Sequence, residues 1–218
     1  MKNLKLFVLV ISLSVFCAST FSQGKFSFNL QGSLPVSDYG SDDIDDEDSG
    51  GAGIGGGLGI QYIHPIMENG LGIFVGFDAI YNGYKKSVKD DMEASLESLV
   101  GTQLDIKWSK LLNFPLSAGL NYSKSTDSGI GLFANLGLTY NFFKETDLVL
   151  EANGEKITGE TELASAFGVK VGGGLLLNDK TSIFINYLGL GKHDLNMTLK
   201  GGGESVNMDS EGKIDIVT

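Results

Sequence analysis

The chain has 218 residues and a net charge of −11, from 16 Lys+Arg against 27 Asp+Glu. That balance excludes a nucleic-acid partner, whose phosphates are neutralised by Lys and Arg. Beyond Gln23 no run approaches the ~20 apolar residues that a transmembrane helix needs.

Met1–Gln23 reads as a secretory leader. Lys2 and Lys5 give a basic start, Leu6–Phe16 is apolar, and small residues follow at Ala18, Ser19 and Ser22, the layout of a cleavable signal peptide. The apolar run is too short for a membrane anchor. Cys17 follows Phe16 rather than a small residue, so a lipoprotein site is not expected. The remainder, 24–218, then holds no cysteine and depends on neither a disulfide nor a thiolate-bound metal. It is predicted to form one domain.

That domain reads as a succession of long alternating strands. The first spans Lys25–Leu34, with Phe26, Phe28 and Leu30 on one face and Ser27, Asn29 and Gln31 on the other. Pro35–Gly50 follows as an acidic, solvated loop carrying Asp42, Asp43, Asp45, Asp46, Glu47 and Asp48. Gly51–His64 and Leu71–Tyr84 are the next strands, joined by the turn Pro65–Gly70. Lys85–Thr102 breaks the alternation. Its Met92, Leu96, Leu99 and Val100 repeat at helical spacing, which predicts a short helix within a long loop.

The fourth strand starts near Gln103 or Leu111 and ends at Tyr122; Pro115 inside it predicts a bulge or local fraying. After a short turn comes the clearest stretch, Ser128–Phe143, apolar at every second residue from Ile130 to Phe142. Lys144–Glu162 reads as a polar loop, Leu163–Leu177 as the sixth strand and Asn178–Lys180 as a tight turn. Thr181–Leu199 is the seventh strand, with a bulge expected at Gly189–Gly191. Lys200–Glu211 reads as a glycine-rich loop, and Gly212–Thr218 begins an eighth strand.

Strands of this length exceed the ~5–6 residues usual in globular proteins and match the ~9–11 of a tilted membrane strand. Loops also sort by length. Connections after the second, fourth and sixth strands are short; those after the first, third, fifth and seventh are long and polar. A leader starts the chain on the periplasmic side, so every long loop falls outside, the asymmetry of outer-membrane barrels. Aromatic residues fall near both strand ends, with Tyr81, Tyr140 and Phe142 near the outer ends and Phe26, Phe28, Tyr62 and Tyr122 near the inner ends, as interfacial girdles do. A soluble lipocalin-like carrier has the same alternation with the faces inverted. Loop sorting and a glycine-rich polar face, which makes a poor solvent surface, favour the membrane form.

In this light Phe114–Ser123 (FPLSAGLNYS) followed by Gly129–Phe143 (GIGLFANLGLTYNFF) is similar to paired strands of the small outer-membrane β-barrel proteins of Gram-negative bacteria, the OmpA/OmpX type often called "porin family". The resemblance covers the whole of 24–218 and implies an all-β, eight-stranded antiparallel up-and-down transmembrane barrel. It implies outer-membrane lipid and lipopolysaccharide as surroundings, a monomer, surface loops as the contact region for any extracellular partner, and no cofactor. Such barrels usually finish on Phe or Tyr. This chain stops at Thr218, so its last strand is expected to be incomplete or unusually short.

Candidate chemistry is sparse. Gly51–Gly59 (GAGIGGGLG) lacks the strand–loop–helix setting of a dinucleotide fingerprint, and its glycines are expected to make room in a tight bore. The acidic loop lacks the spacing of a calcium loop and reads as a solvated tip, loosely bridged by divalent cations to lipopolysaccharide phosphates. A lipid A-modifying enzyme needs a Ser or His with a positioned partner on the outer side. His64 falls at the periplasmic turn; His193 lies beside Asp194 with no serine in evident pairing, and both read as surface histidines. Asp78 and Lys170 are predicted to point into the bore at similar depth and to form a polar network plugging it. Eight strands leave no wide aqueous channel, and a structural or surface-interaction role is expected, without catalysis.

Overall fold

The computed structural model describes residues 24–43, 49–126, 130–152, 154–178 and 181–218. The stretch read as a leader, 1–23, and Asp45, Asp46, Glu47 and Asp48 lie outside the described residues. Eleven strands are present among those described: β1 Lys25–Val36, β2 Ala52–Pro65, β3 Leu71–Tyr84, β4 Asp105–Lys107, β5 Leu111–Ser125, β6 Gly131–Glu145, β7 Leu148–Ala152, β8 Glu155–Thr161, β9 Ala164–Asn178, β10 Thr181–Gly201 and β11 Glu204–Val217. A helical turn, α1 (Ser37–Gly40), follows β1, and α2 (Lys86–Val100) follows β3.

Eight of these strands form a ring. The order β11-β1-β2-β3-β5-β6-β9-β10 is closed by β10–β11 pairing, and each pairing is antiparallel. The other three strands attach above the ring, in the order β10-β8-β7-β4. Closure matters because a sheet edge left open in hydrocarbon strands its N–H and C=O groups without partners. The β1–β11 seam is the shortest, spanning Leu34↔Val217 to Val36↔Asp215. The neighbouring β1–β2 ladder runs from Lys25↔Ile63 to Ser33↔Gly55.

The alternation decides which face is enclosed. Phe28, Leu138 and Phe167 are 84%, 68% and 78% exposed on the outer wall. Asp78, Asn82, Asn113, Asn141 and Lys170 are buried inside. A water-soluble carrier needs the reverse, because each large apolar side chain left in water forfeits about 1.5–3 kcal/mol. The lipocalin-like alternative is therefore discarded. The bore also holds an apolar cluster of Tyr39, Ile80, Leu111, Phe143, Leu188, Leu190, Ile214 and Ile216.

Helix α2 lies within the stretch read as helical and ends at Gly101 in the left-handed conformation. Pro115 causes no register shift, since β5 and β6 pair continuously from Leu111↔Glu145 to Ser125↔Gly131. On its other side the β3–β5 ladder skips from Phe77↔Leu116 to Ile80↔Asn113, so the effect is local loss of pairing rather than a bulge. The bulge at Gly189–Gly191 is present, and Gly191 has φ 88°.

Two loop readings are corrected. Lys144–Glu162 contains the hairpin β7–β8, paired from Leu148↔Gly159 to Ala152↔Glu155. Lys200–Glu211 belongs to strands, because β10 and β11 stay paired up to Gly201↔Glu204 around a turn at Gly202–Gly203. Residues 204–211 are exposed on both faces. With water on either side, nothing selects apolar residues at alternate positions, so the pattern that marks a half-buried strand is missing.

Candidate functional site

The bore is the first candidate. Asp78 on β3 and Lys170 on β9 stand well apart around the ring, and their side chains meet across the bore with Nζ to Oδ2 at 3.1 Å. Both side chains are almost fully buried, at 3% and 4% exposure. Gln31 Nε2 donates to Asp78 Oδ1 at 3.4 Å, and the Lys170 ammonium lies 6.0 Å from the Phe74 ring centroid. The residue opposite Asp78 on β2 is Gly59, where a Cβ would fall 2.1 Å from Asp78 Oδ1. Gly59 thus leaves the space in which the carboxylate turns toward Lys170. Desolvating two charges is costly, and attraction repays that only when the geometry is good and the remaining polar atoms have partners.

Polar pairs fill other levels. Below, Asn121 Nδ2 donates to Asn135 Oδ1 at 2.8 Å. Above, Ser33 and Asn82 bond at 3.0–3.1 Å, and Asn82 Nδ2 also donates to Gly53 O at 2.9 Å. Alongside, Asn141 Nδ2 donates to Asn113 Oδ1 at 2.8 Å, and Asn113 Nδ2 donates to Tyr39 Oη at 3.2 Å. Tyr39 enters the mouth from α1, and burial pushes its phenol well above the usual tyrosine range. At the top, Glu145 accepts from Tyr84 Oη at 2.7 Å and from Ser109 Oγ.

His193 belongs to this interior, which corrects its reading as a surface residue. It is fully buried; Asn141 Nδ2 lies 3.1 Å from Nε2, and Nδ1 lies 3.2 Å from Gly191 O. An Nδ1–H donating to Gly191 and an Nε2 accepting from Asn141 is the neutral arrangement. The cause is the bulge. On β10 Ile183, Ile185 and Tyr187 point outward; an extra residue shifts the register between Gly189 and Gly191, so beyond it odd-numbered His193 turns inward and Lys192 outward. Gly191 accommodates the positive φ that this needs. His64 is half-buried at the foot of β2, stacked 6.5 Å from Tyr62.

The outer wall carries the aromatic residues singled out by the sequence. Phe26, Phe28, Tyr81 and Tyr122 are exposed, and Phe26 packs 4.8 Å from Tyr62. Tyr140 sits 5.0 Å from Phe142 and 4.8 Å from Phe167, ring centroid to ring centroid. Phe167 completes this upper cluster and was missed, although its outward parity was readable. Phe77 and Phe114 stack at 6.4 Å beside it.

At the rim, Asp42 and Asp43 are exposed. Asp42 pairs with Lys85 at 3.7 Å and accepts from Ser87 Oγ at 3.0 Å. The stem of this first outer loop is stitched: Gly50 N–H donates to Asp38 O at 2.8 Å, Gly51 N–H to Ser41 O at 2.8 Å and Ser49 Oγ to Ser41 O at 2.9 Å. No cluster of His, Cys, Asp and Glu suited to a metal ion occurs among the described residues.

An apolar exterior, a closed ring and an enclosed polar bore define a transmembrane β-barrel. The family model described as outer membrane protein beta-barrel domain matches residues 8–209, and the chain belongs to that family. Its place is the bacterial outer membrane. No curated protein matches the chain.

Proposed function

We propose that this outer-membrane barrel is a closed, non-catalytic structural protein that works through its outer rim. The observation that carries the reading is the Asp78–Lys170 pair spanning the bore, which the apolar cluster and Tyr39 also fill. Nothing wide passes such a filling, consistent with the narrow interior of eight strands. His193 supports the absence of catalysis, since both ring nitrogens are engaged by Asn141 and Gly191 rather than by a hydroxyl nucleophile. The rim offers material for contacts: the long β10–β11 hairpin and the β7–β8 hairpin extend beyond the ring, and Asp42 and Asp43 are exposed. The surroundings we propose are outer-leaflet lipid and lipopolysaccharide, with the protein as a monomer and any protein partner engaged through the loops.

Planar-bilayer recording on the refolded chain, with heat-modifiable gel mobility confirming that it is folded, tests the closed bore. The expected record is a quiet baseline. A sustained step conductance in folded wild-type protein overturns the reading.

A further inference from the structure

The sheet that rises above the ring has two unlike faces. Register places its residues: Met197 pairs with Met208 and Leu199 with Val206 across β10–β11, while Met197 pairs with Thr161 and Leu199 with Gly159 across β10–β8. Leu148 pairs with Gly159, Leu150 with Ile157, and Ile106 with Leu150. Residues directly opposite each other share a face, so one face is apolar from β11 to β4. It continues the bore side of β10, since Leu195, on the same parity as His193 and Met197, packs against the buried cluster. The other face is polar: Thr198 Oγ1 donates to Asn207 Oδ1 at 3.0 Å, and Lys200 pairs with Glu160 at 2.6 Å.

Much of the apolar face is uncovered. Val206, Met208 and Ile157 are 57%, 52% and 42% exposed. Water gives no reason for large apolar side chains to gather on one side, and a sheet with one apolar face ordinarily buries it against a second layer. Two charged residues share this face, Glu155 at the start of β8 and Glu204 at the start of β11. Both are exposed, and among the described residues neither has a cation within the 4.0 Å of an ion pair. From β11 to β4 the face is four strand spacings wide, about 19 Å. That matches three to four turns of a helix at about 5.4 Å per turn.

The sign of those two charges selects the occupant. A second copy of this chain would bring the same carboxylates to the contact. Helix α2 has an apolar row of its own, Met92, Leu96 and Leu99, but Asp91 and Glu93 lie on either side of it. A partner carrying cations meets no such repulsion. We propose that this face docks a cationic amphipathic helix of a partner molecule, its apolar side on Val206, Met208 and Ile157 and its lysines or arginines at Glu155 and Glu204. The proposal rests on the reading that the protein works through its rim, and it gives that rim a defined surface and a partner chemistry.

The probe is a fluorescein-labelled peptide of about 14 leucines and lysines, roughly four helical turns patterned with one apolar side; a second probe carries glutamate in place of lysine. Binding is read by anisotropy to the chain folded into phosphatidylcholine nanodiscs, with empty nanodiscs subtracted and heat-modifiable mobility confirming the fold. Wild type binds the lysine helix and not the glutamate helix. Val206→Ser/Met208→Ser weakens binding about tenfold. Glu155→Gln/Glu204→Gln weakens it about fivefold and removes most of its salt dependence. Asn196→Ala/Asn207→Ala, on the polar face, binds as wild type does. Unchanged binding by the serine variant, equal binding of the two helices, or no binding by folded wild type overturns the proposal. Dimers of wild type that exclude the helix overturn it in favour of a second copy as occupant. A step conductance in the bilayer record counts instead against the closed bore, a separate outcome.

Discussion

The ring and the structure above it are built from the same kind of strand yet obey different rules. Within the ring, one side of each strand meets hydrocarbon and the other an enclosed bore, so residue character flips at every step. In the upper β10–β11 hairpin both sides meet water: residues 204–211 are exposed without alternation, and the strands are held by backbone pairing that runs to Gly201↔Glu204. Hydrogen bonding makes a strand in either place. The two surrounding media make the pattern, and only in the ring do they differ.

Substitutions in three places sharpen that contrast. The largest effect is expected in the bore. Lys170→Met strands the buried Asp78 carboxylate and should destabilise the folded barrel by about 3–5 kcal/mol, while Asp78→Leu/Lys170→Met together should recover most of the loss. Urea titrations in vesicles measure both, and a single variant as stable as wild type would refute the load assigned to the pair. On the lipid face, Leu138→Arg places a charge in the apolar band and should cost about 2–4 kcal/mol in the same assay. In the hairpin, Met208→Ser should change stability by no more than about 0.5 kcal/mol, because Met208 is already half-exposed to water. If the hairpin substitution proved as damaging as the one at Leu138, the distinction between the two regions would fail.

The same contrast explains what could be read from the amino acids. Ser128–Phe143 announced β6 because Leu132, Leu136, Leu138 and Tyr140 face lipid while Asn135, Thr139 and Asn141 face the bore. Asp78 and Lys170 were found by the same logic, as ionisable residues on an otherwise small, glycine-rich face. The hairpins went unread for lack of any such asymmetry. His193 was misplaced because one extra residue at the bulge reverses parity for the rest of β10, and parity counted from Thr181 sends its ring to the wrong side. Tyr39 was hidden differently: it sits in an acidic segment that composition marks as solvated, and only the turn of α1 brings it over the mouth. Phe167 was legible by the same rule as Tyr140, since it lies near the outer end of Leu163–Leu177 and pairs with Tyr140.

The stitched stem of the first outer loop has a practical consequence. Its two legs are fastened to each other from Asp38 to Gly51, and Tyr39 is bolted to the barrel through Asn113. Whatever sequence lies between Asp43 and Ser49 begins and finishes on fixed posts. A foreign peptide spliced there should be carried on the cell exterior without disturbing the cylinder beneath, which would make this small protein a scaffold for display.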